Sequence, residues 1–215
     1  MLARLFNEAC PACGGTSPAG FCGFCRGRFW RLGPTCRSCG LPLPVQSCPR
    51  NADWHLDFLV APFAYAPPLD RFVLALKYRG ERRLGRALGL LLAAELGLSE
   101  PPDALVPIPL HPHRLRERGY NQAAEIARAV SRAAGVPLLA RGFSRLRPTP
   151  PQTGSSAEVR RRNVAGAFAV ARDLTGCRLA IVDDVVTTGA TVNAFAKALV
   201  RAGAAVGVWA VARTP

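Results

Sequence analysis

Seven of the eight cysteines lie between Cys10 and Cys48, and six of those seven come as CxxC pairs. CPAC (Cys10, Cys13) is followed by eight residues and then CGFC (Cys22, Cys25). CRSC (Cys36, Cys39) is followed by eight residues and then CPRN, which holds Cys48 and Asn51. The second unit repeats the first at an offset of 26 residues, with Asn51 where a fourth cysteine would stand. A CxxC turn sets two thiolates on one side of a tight knuckle. Two facing knuckles form a tetrahedral S4 site, which zinc fills without redox chemistry. Units this short hold no core of their own, so a metal would supply much of their folding free energy. A redox-active CxxC is the alternative, but it favours one pair beside a βαβ pattern, not three pairs in a Gly- and Pro-rich stretch. The spacing predicts one zinc on Cys10, Cys13, Cys22 and Cys25. Cys36, Cys39 and Cys48 need a fourth ligand. His55 is the better candidate on chemistry and Asp53 the other; a metal-free knuckle is the third possibility.

The pattern changes near Trp54, which sets a ribbon region at 1–53 and a second domain at 54–215. Leu56–Leu69 reads as a short apolar strand and a Pro-rich turn. Asp70–Gly80 and Arg82–Leu96 carry Leu and Ala at helical spacing, and Asn121–Gly135 is a helix closed by glycine. Asp103–Leu110 is a strand running into a loop, and short strands are expected near Phe143 and within AGAFAVA. Arg145–Asn163 is polar, basic and Pro/Gly/Ser-rich, the composition of a mobile loop. Cys177–Asp184 reads as a buried strand, Thr191–Ala202 as a helix, and Ala205–Arg213 as a final strand. Strands alternating with helices predict an α/β fold, a mostly parallel sheet with helices on both faces.

LAIVDDVVTTGAT (Leu179–Thr191) drives an apolar strand into two adjacent acids and then into small hydroxyl residues. In parallel sheets ligands bind beyond the carboxyl ends of the strands. A helix N-terminus there favours phosphate, small residues allow close approach, and hydroxyls add donors. Adjacent carboxylates suit vicinal hydroxyls. Phosphate together with vicinal hydroxyls describes a ribose 5-phosphate. A receiver domain also carries IVDD, but near its N-terminus; here only 31 residues follow Asp184. A P-loop would need GK[ST], and this loop has no lysine.

The net charge is +14, and 26 of 28 basic residues are arginine, since the only lysines are Lys77 and Lys197. Nucleotide composition can bias toward arginine, but the excess also suits a polyanionic partner such as nucleic acid or phosphorylated metabolites. Phe24, Phe29 and Trp30 sit among the ribbon arginines, either as stacking surfaces or as the ribbons' small core. No apolar run approaches the roughly 18 residues of a membrane span. MLARLFNEACPAC lacks a signal-peptide pattern, so a cytoplasmic location is expected.

IVDDVVTTGAT matches the phosphoribosyl pyrophosphate (PRPP) motif of type I phosphoribosyltransferases. LKYRG (Leu76–Gly80), VPIPLHPHRLRERGYNQA (Val106–Ala123), TPPQTG (Thr149–Gly154), RRRNVAGAF (Arg160–Phe168) and the double zinc ribbon extend the likeness. Over nearly its whole length the chain resembles the ComF family of competence-associated proteins, departing only at Asn51. The resemblance implies a type I phosphoribosyltransferase-like domain behind a small zinc-ribbon domain. It implies that Asp183 and Asp184 hold the ribose hydroxyls, while Val185, Val186, Thr187, Thr188, Gly189, Ala190 and Thr191 complete the PRPP site and cradle the 5-phosphate. It makes Val106–Pro109 and the basic stretch after it the pyrophosphate loop, with Arg114, Arg116 and Arg118 candidates for the diphosphate and Lys77 a further phosphate contact. Arg145–Asn163 takes the place of the loop that closes over such sites. PRPP or a related phosphoribosyl ligand, Mg2+ bound with it, zinc, single-stranded DNA and the DNA-uptake machinery are the implied cofactors and partners. Three functions follow: a PRPP-binding protein of natural transformation, a phosphoribosyltransferase with an unknown acceptor, or a PRPP-sensing regulator.

Overall fold

A computed structural model describes residues 8–18, 20–45, 48, 53–97, 100–147 and 166–215. The elements, in chain order, begin with β1 (Glu8–Ala9), β2 (Thr16–Ser17) and α1 (Gly23–Arg26). Next come β3 (Phe58–Val60), β4 (Phe63–Ala64), α2 (Leu69–Tyr78), α3 (Arg83–Ala93) and β5 (Ala104–Pro107). Then follow α4 (Pro112–Arg118), α5 (Gln122–Ala134), β6 (Phe143–Arg145) and β7 (Phe168–Val170). β8 (Arg178–Val186), α6 (Ala190–Arg201) and β9 (Ala205–Arg213) close the chain.

The central sheet runs β3-β9-β8-β5, every pair parallel, and β4 also pairs with β9. Alternation along β8 and β9 divides the core in two. Ala180, Val182, Trp209 and Val211 face one cluster with α2, α3 and α5. Leu179, Ile181, Val206 and Val208 face another with α6 and Phe168. This period of two against helices on both sides is what a doubly covered parallel sheet requires.

Three details differ from the sequence reading. The strand expected after Leu56 breaks into β3 and β4, because Pro62 has no N–H to give the ladder; an edge position tolerates the interruption. β8 continues past Asp184 to Val186, since Val185 and Val186 still register with Ala212 and Arg213. The basic stretch after His111 is not loop but the helix α4, with Pro112 at its first turn and Gly119 at φ 75 after its last. β6 and β7 pair antiparallel beside the sheet. Of the loop expected over Arg145–Asn163, residues 148–163 lie outside the described ones.

The cysteine repeat is visible in the backbone. Gly14 donates to the Cys10 carbonyl at 2.8 Å, and Gly40 to the Cys36 carbonyl at 2.8 Å. Both glycines have positive φ, 74 and 68 degrees, as the turn behind a CxxC pair demands. The first unit shares the main core: Phe21 meets Phe29 at 5.0 Å and Phe72 at 4.9 Å, edge to face. Arg31 and Arg26 pair with Glu95, and Arg86 with Glu8. Phe29 is therefore core, whereas Phe24 and Trp30 are 73% and 62% exposed.

Candidate functional site

A cavity of about 410 Å³ opens where β5 and β8 end. Asp183 and Asp184 both line it, the first half-buried and the second buried. Their carboxylates are held by the chain itself: Asp183 Oδ1 accepts from the Asp184 N–H at 2.8 Å, and Asp184 Oδ1 from the Val185 N–H at 2.7 Å. Burial first, and the Asp184 charge second, push the Asp183 carboxyl up to about 8, with Lys77 restraining the rise. Lys77, from α2, places Nζ 2.9 Å from Asp184 Oδ1. Burial alone would lower the Lys77 pKa, but the charges of Asp184 and Asp183 outweigh it and raise it. The lysine lines the cavity, and its observed contact is with the acid.

Beyond the acids, Thr187, Gly189, Ala190 and Thr191 line the same cavity. Gly189 has φ 80 and is the residue before α6. Thr188 is not a lining residue; its Oγ1 accepts from the Ala190 N–H at 3.4 Å and braces the turn. Of the basic residues on α4, Arg114 and Arg118 line the cavity, while Arg116 is exposed on another face. Spacing of four on a helix puts the first two together and excludes the third. Asn121 fixes this wall: its Nδ2 donates to the Ile108 carbonyl at 2.8 Å and its Oδ1 caps α5 at the Ala124 N–H.

Arg145 is a charged lining residue that the sequence reading named only as the start of a loop. It reaches the cavity from β6, with its guanidinium over the Phe168 ring at 5.4 Å. Burial lowers its pKa, Asp183 opposes that, and Arg114 adds to it. Nothing local marks it in a stretch rich in arginine; only the β6-β7 pairing brings it in. The cavity is thus acidic at its floor and basic on two walls, an arrangement suited to an anion that also carries hydroxyl groups.

The cysteines form two groups. The sulfurs of Cys10, Cys13, Cys22 and Cys25 lie within 4.8 Å of one another, as do those of Cys36, Cys39 and Cys48. Cys13 and Cys22 Sγ are 3.8 Å apart. Burial works against a thiolate at Cys10, but the N–H groups of Cys22, Ala12 and Cys13 overcome it and lower that thiol to about 6. Burial and the neighbouring sulfurs push Cys25 up to about 12. Both groups can hold a metal ion. His55 and Asp53 are not in the second group. The His55 N–H donates to Asn193 Oδ1 at 2.7 Å, and its Nε2 is buried without a hydrogen-bond partner. Asn51 lies outside the described residues. Among the described residues no helix is long and apolar enough to cross a membrane.

No family model matches the chain. It is 34% identical over 208 residues to the DNA utilization protein YhgH of Salmonella typhimurium, covering 91% of each chain. It is 32% identical over 229 residues to competence protein F of Haemophilus influenzae, covering 98% of this chain and 99% of that one. Among solved structures, a glutamine PRPP amidotransferase from B. subtilis aligns with a TM-score of 0.40 and 24% identity. That alignment covers 58% of this chain and 25% of the other.

Proposed function

This chain belongs to the ComF family of competence and DNA utilization proteins, and on that premise we propose that its cavity binds PRPP with Mg2+ and that the protein serves DNA uptake. One observation carries the ligand: two adjacent carboxylates, the small-residue loop at the start of α6 and the arginines of α4 and β6 share a single cavity. The ribose hydroxyls would donate to Asp183 and Asp184. The 5-phosphate would lie against Thr187–Thr191, where N–H groups and the helix dipole favour it. The diphosphate would meet Arg114, Arg118 and Arg145. Mg2+ suits a site built from carboxylates and substrate phosphates, and it would neutralise the diphosphate. Lys77 shields Asp184, so that the two acids can stand side by side.

The cysteine groups fit zinc. Arms of about 2.3 Å from a tetrahedral ion put neighbouring sulfurs about 3.8 Å apart, close to the Cys13–Cys22 separation of 3.8 Å. The second partner in this reading is single-stranded DNA, supported by the +14 charge and by Phe24 and Trp30 exposed beside arginines. Arg28 lies over the Phe24 ring at 5.8 Å.

Calorimetric titration tests the ligand. PRPP with Mg2+ should bind most tightly, and ribose 5-phosphate and pyrophosphate each more weakly, because each fills only part of the cavity. Equal affinity for PRPP and pyrophosphate would remove the ribose half of the site. Release of pyrophosphate from PRPP in the presence of amine and nucleobase acceptors would separate a transferase from a binding protein.

A further inference from the structure

We propose that the second cysteine knuckle is a working part of the phosphate-binding loop: Trp54 and Arg213 join the two, so that metal held by Cys36, Cys39 and Cys48 and a phosphoribosyl ligand stabilise one another. This rests on the reading of the cavity as a phosphoribosyl site.

Two struts make the connection. Trp54 Nε1 donates to the carbonyl of Ser38, inside CRSC, at 3.1 Å. The ring of the same tryptophan covers Gly189, where an added Cβ would stand 2.7 Å from Cη2. The segment is clamped to α6 as well: Asn193 accepts from the His55 N–H and donates to the Asp53 carbonyl, each at 2.7 Å. A displacement of Ser38 therefore reaches the one residue whose positive φ turns the loop into α6.

Arg213, the last residue of β9, is 2% exposed. Its Nη1 donates to the carbonyl of Thr187 and, at 3.4 Å, to that of Val186. A trans peptide points its C=O and the following N–H in opposite directions. Holding these two carbonyls on the Arg213 side therefore turns the N–H groups of Thr187 and Thr188 away from it, and of the two residues Thr187 lines the cavity. The far side of Arg213 meets the knuckle: a Cβ on Gly40, next to Cys39, would lie 3.3 Å from Arg213 Cδ. Ionised sulfurs at Cys39 and Cys48 would favour the charge of this buried guanidinium. Three thiolates on a divalent cation keep a net negative charge facing it. Among the described residues the first cysteine group has no such path; it packs in the cluster of Phe21, Phe29 and the α2-α3 side of the core.

Linkage makes the test reciprocal, because a ligand that gains affinity from a site must stabilise that site equally. The zinc-loaded, unmodified protein is treated with iodoacetamide, and alkylation is followed at each cysteine by mass spectrometry with and without saturating ribose 5-phosphate. That probe is chosen because the diphosphate of PRPP would itself strip metal. Alkylation of Cys36, Cys39 and Cys48 should slow at least about fivefold, and that of Cys10, Cys13, Cys22 and Cys25 should not change. Equal slowing of both groups, or none while calorimetry on the same sample shows binding, would overturn the coupling. Absence of any binding heat would instead bring down the phosphoribosyl reading and the coupling with it. Trp54→Phe loses both the bond to Ser38 and the outer ring carbons that cover Gly189. The protection should shrink in that variant; full protection would overturn the role given to Trp54.

Discussion

Asp183 is an acid kept where its neighbours disfavour its charge. The folded protein holds the Asp183 proton up to about pH 8, whereas the unfolded chain releases it near 3.8. Between those limits the folded state binds the extra proton, so this residue makes stability fall as pH rises. Asp183→Asn removes that slope. The ligand-free variant should be more stable than the unmodified protein at pH 8, by about 0.5–2 kcal/mol, and the difference should vanish toward pH 4. Denaturant titration at the two values checks it; a variant less stable at pH 8 would contradict the burial argument. At this scale the acids and the hydroxyl loop were legible because strand, acids and loop are contiguous. Arg145 and Arg213 were not, since what distinguishes them from the other arginines is a contact across the sheet.

The elements show the same division between local and distant information. Long periodic segments such as Asn121–Gly135 announce themselves, and the structure closes α5 at Gly135 with φ 69. α4 could have been read from Pro112 and Gly119, which carry a helix's start and stop, but its seven residues are mostly polar and give no apolar stripe. Its geometry yields a discriminating prediction. Arg114→Ala and Arg118→Ala should each weaken PRPP binding about tenfold or more, the range of a charged hydrogen bond, while Arg116→Ala should leave it unchanged. Equal losses at all three would mean that general charge, not the α4 face, attracts the ligand. The α3-α5 contact gives a second prediction. Gly89→Ala improves helix propensity, yet its Cβ would lie 2.6 Å from the Ile126 carbonyl oxygen, a backbone atom. The variant should be destabilised by about 1–3 kcal/mol, read from the denaturant midpoint.

Over the whole molecule, the repeat of cysteines was plain in the sequence, and its attachment was not. Composition gave the ribbon region a separate identity. The structure also sinks Phe21 and Phe29 among Phe63 and Phe72, and ties the second unit through Trp54 to the loop before α6. Apolar residues in a short Gly/Pro-rich stretch do not reveal whether they pack on each other or on a neighbour. The exposed pair that remains, Phe24 and Trp30, belongs to the DNA prediction. Single-stranded DNA should bind with log K falling against log salt by about 0.7 for each phosphate contacted. Phe24→Ala or Trp30→Ala should weaken binding by about 1–3 kcal/mol without changing that slope. A flat salt profile would speak against a nucleic-acid partner.

The claim on which the rest depends is that the paired acids organise a phosphoribosyl site. Calorimetry of PRPP with Mg2+ against the unmodified protein and Asp183→Asn/Asp184→Asn tests it most directly. The substitution keeps the shape of both side chains and removes their capacity to ionise, and circular dichroism confirms that the variant is folded. Loss of both carboxyl groups, Asp184 as a charge and Asp183 as an acceptor that Mg2+ and ligand would deprotonate, predicts an affinity lower by about a hundredfold or more. Undiminished binding by the folded double variant would contradict the account.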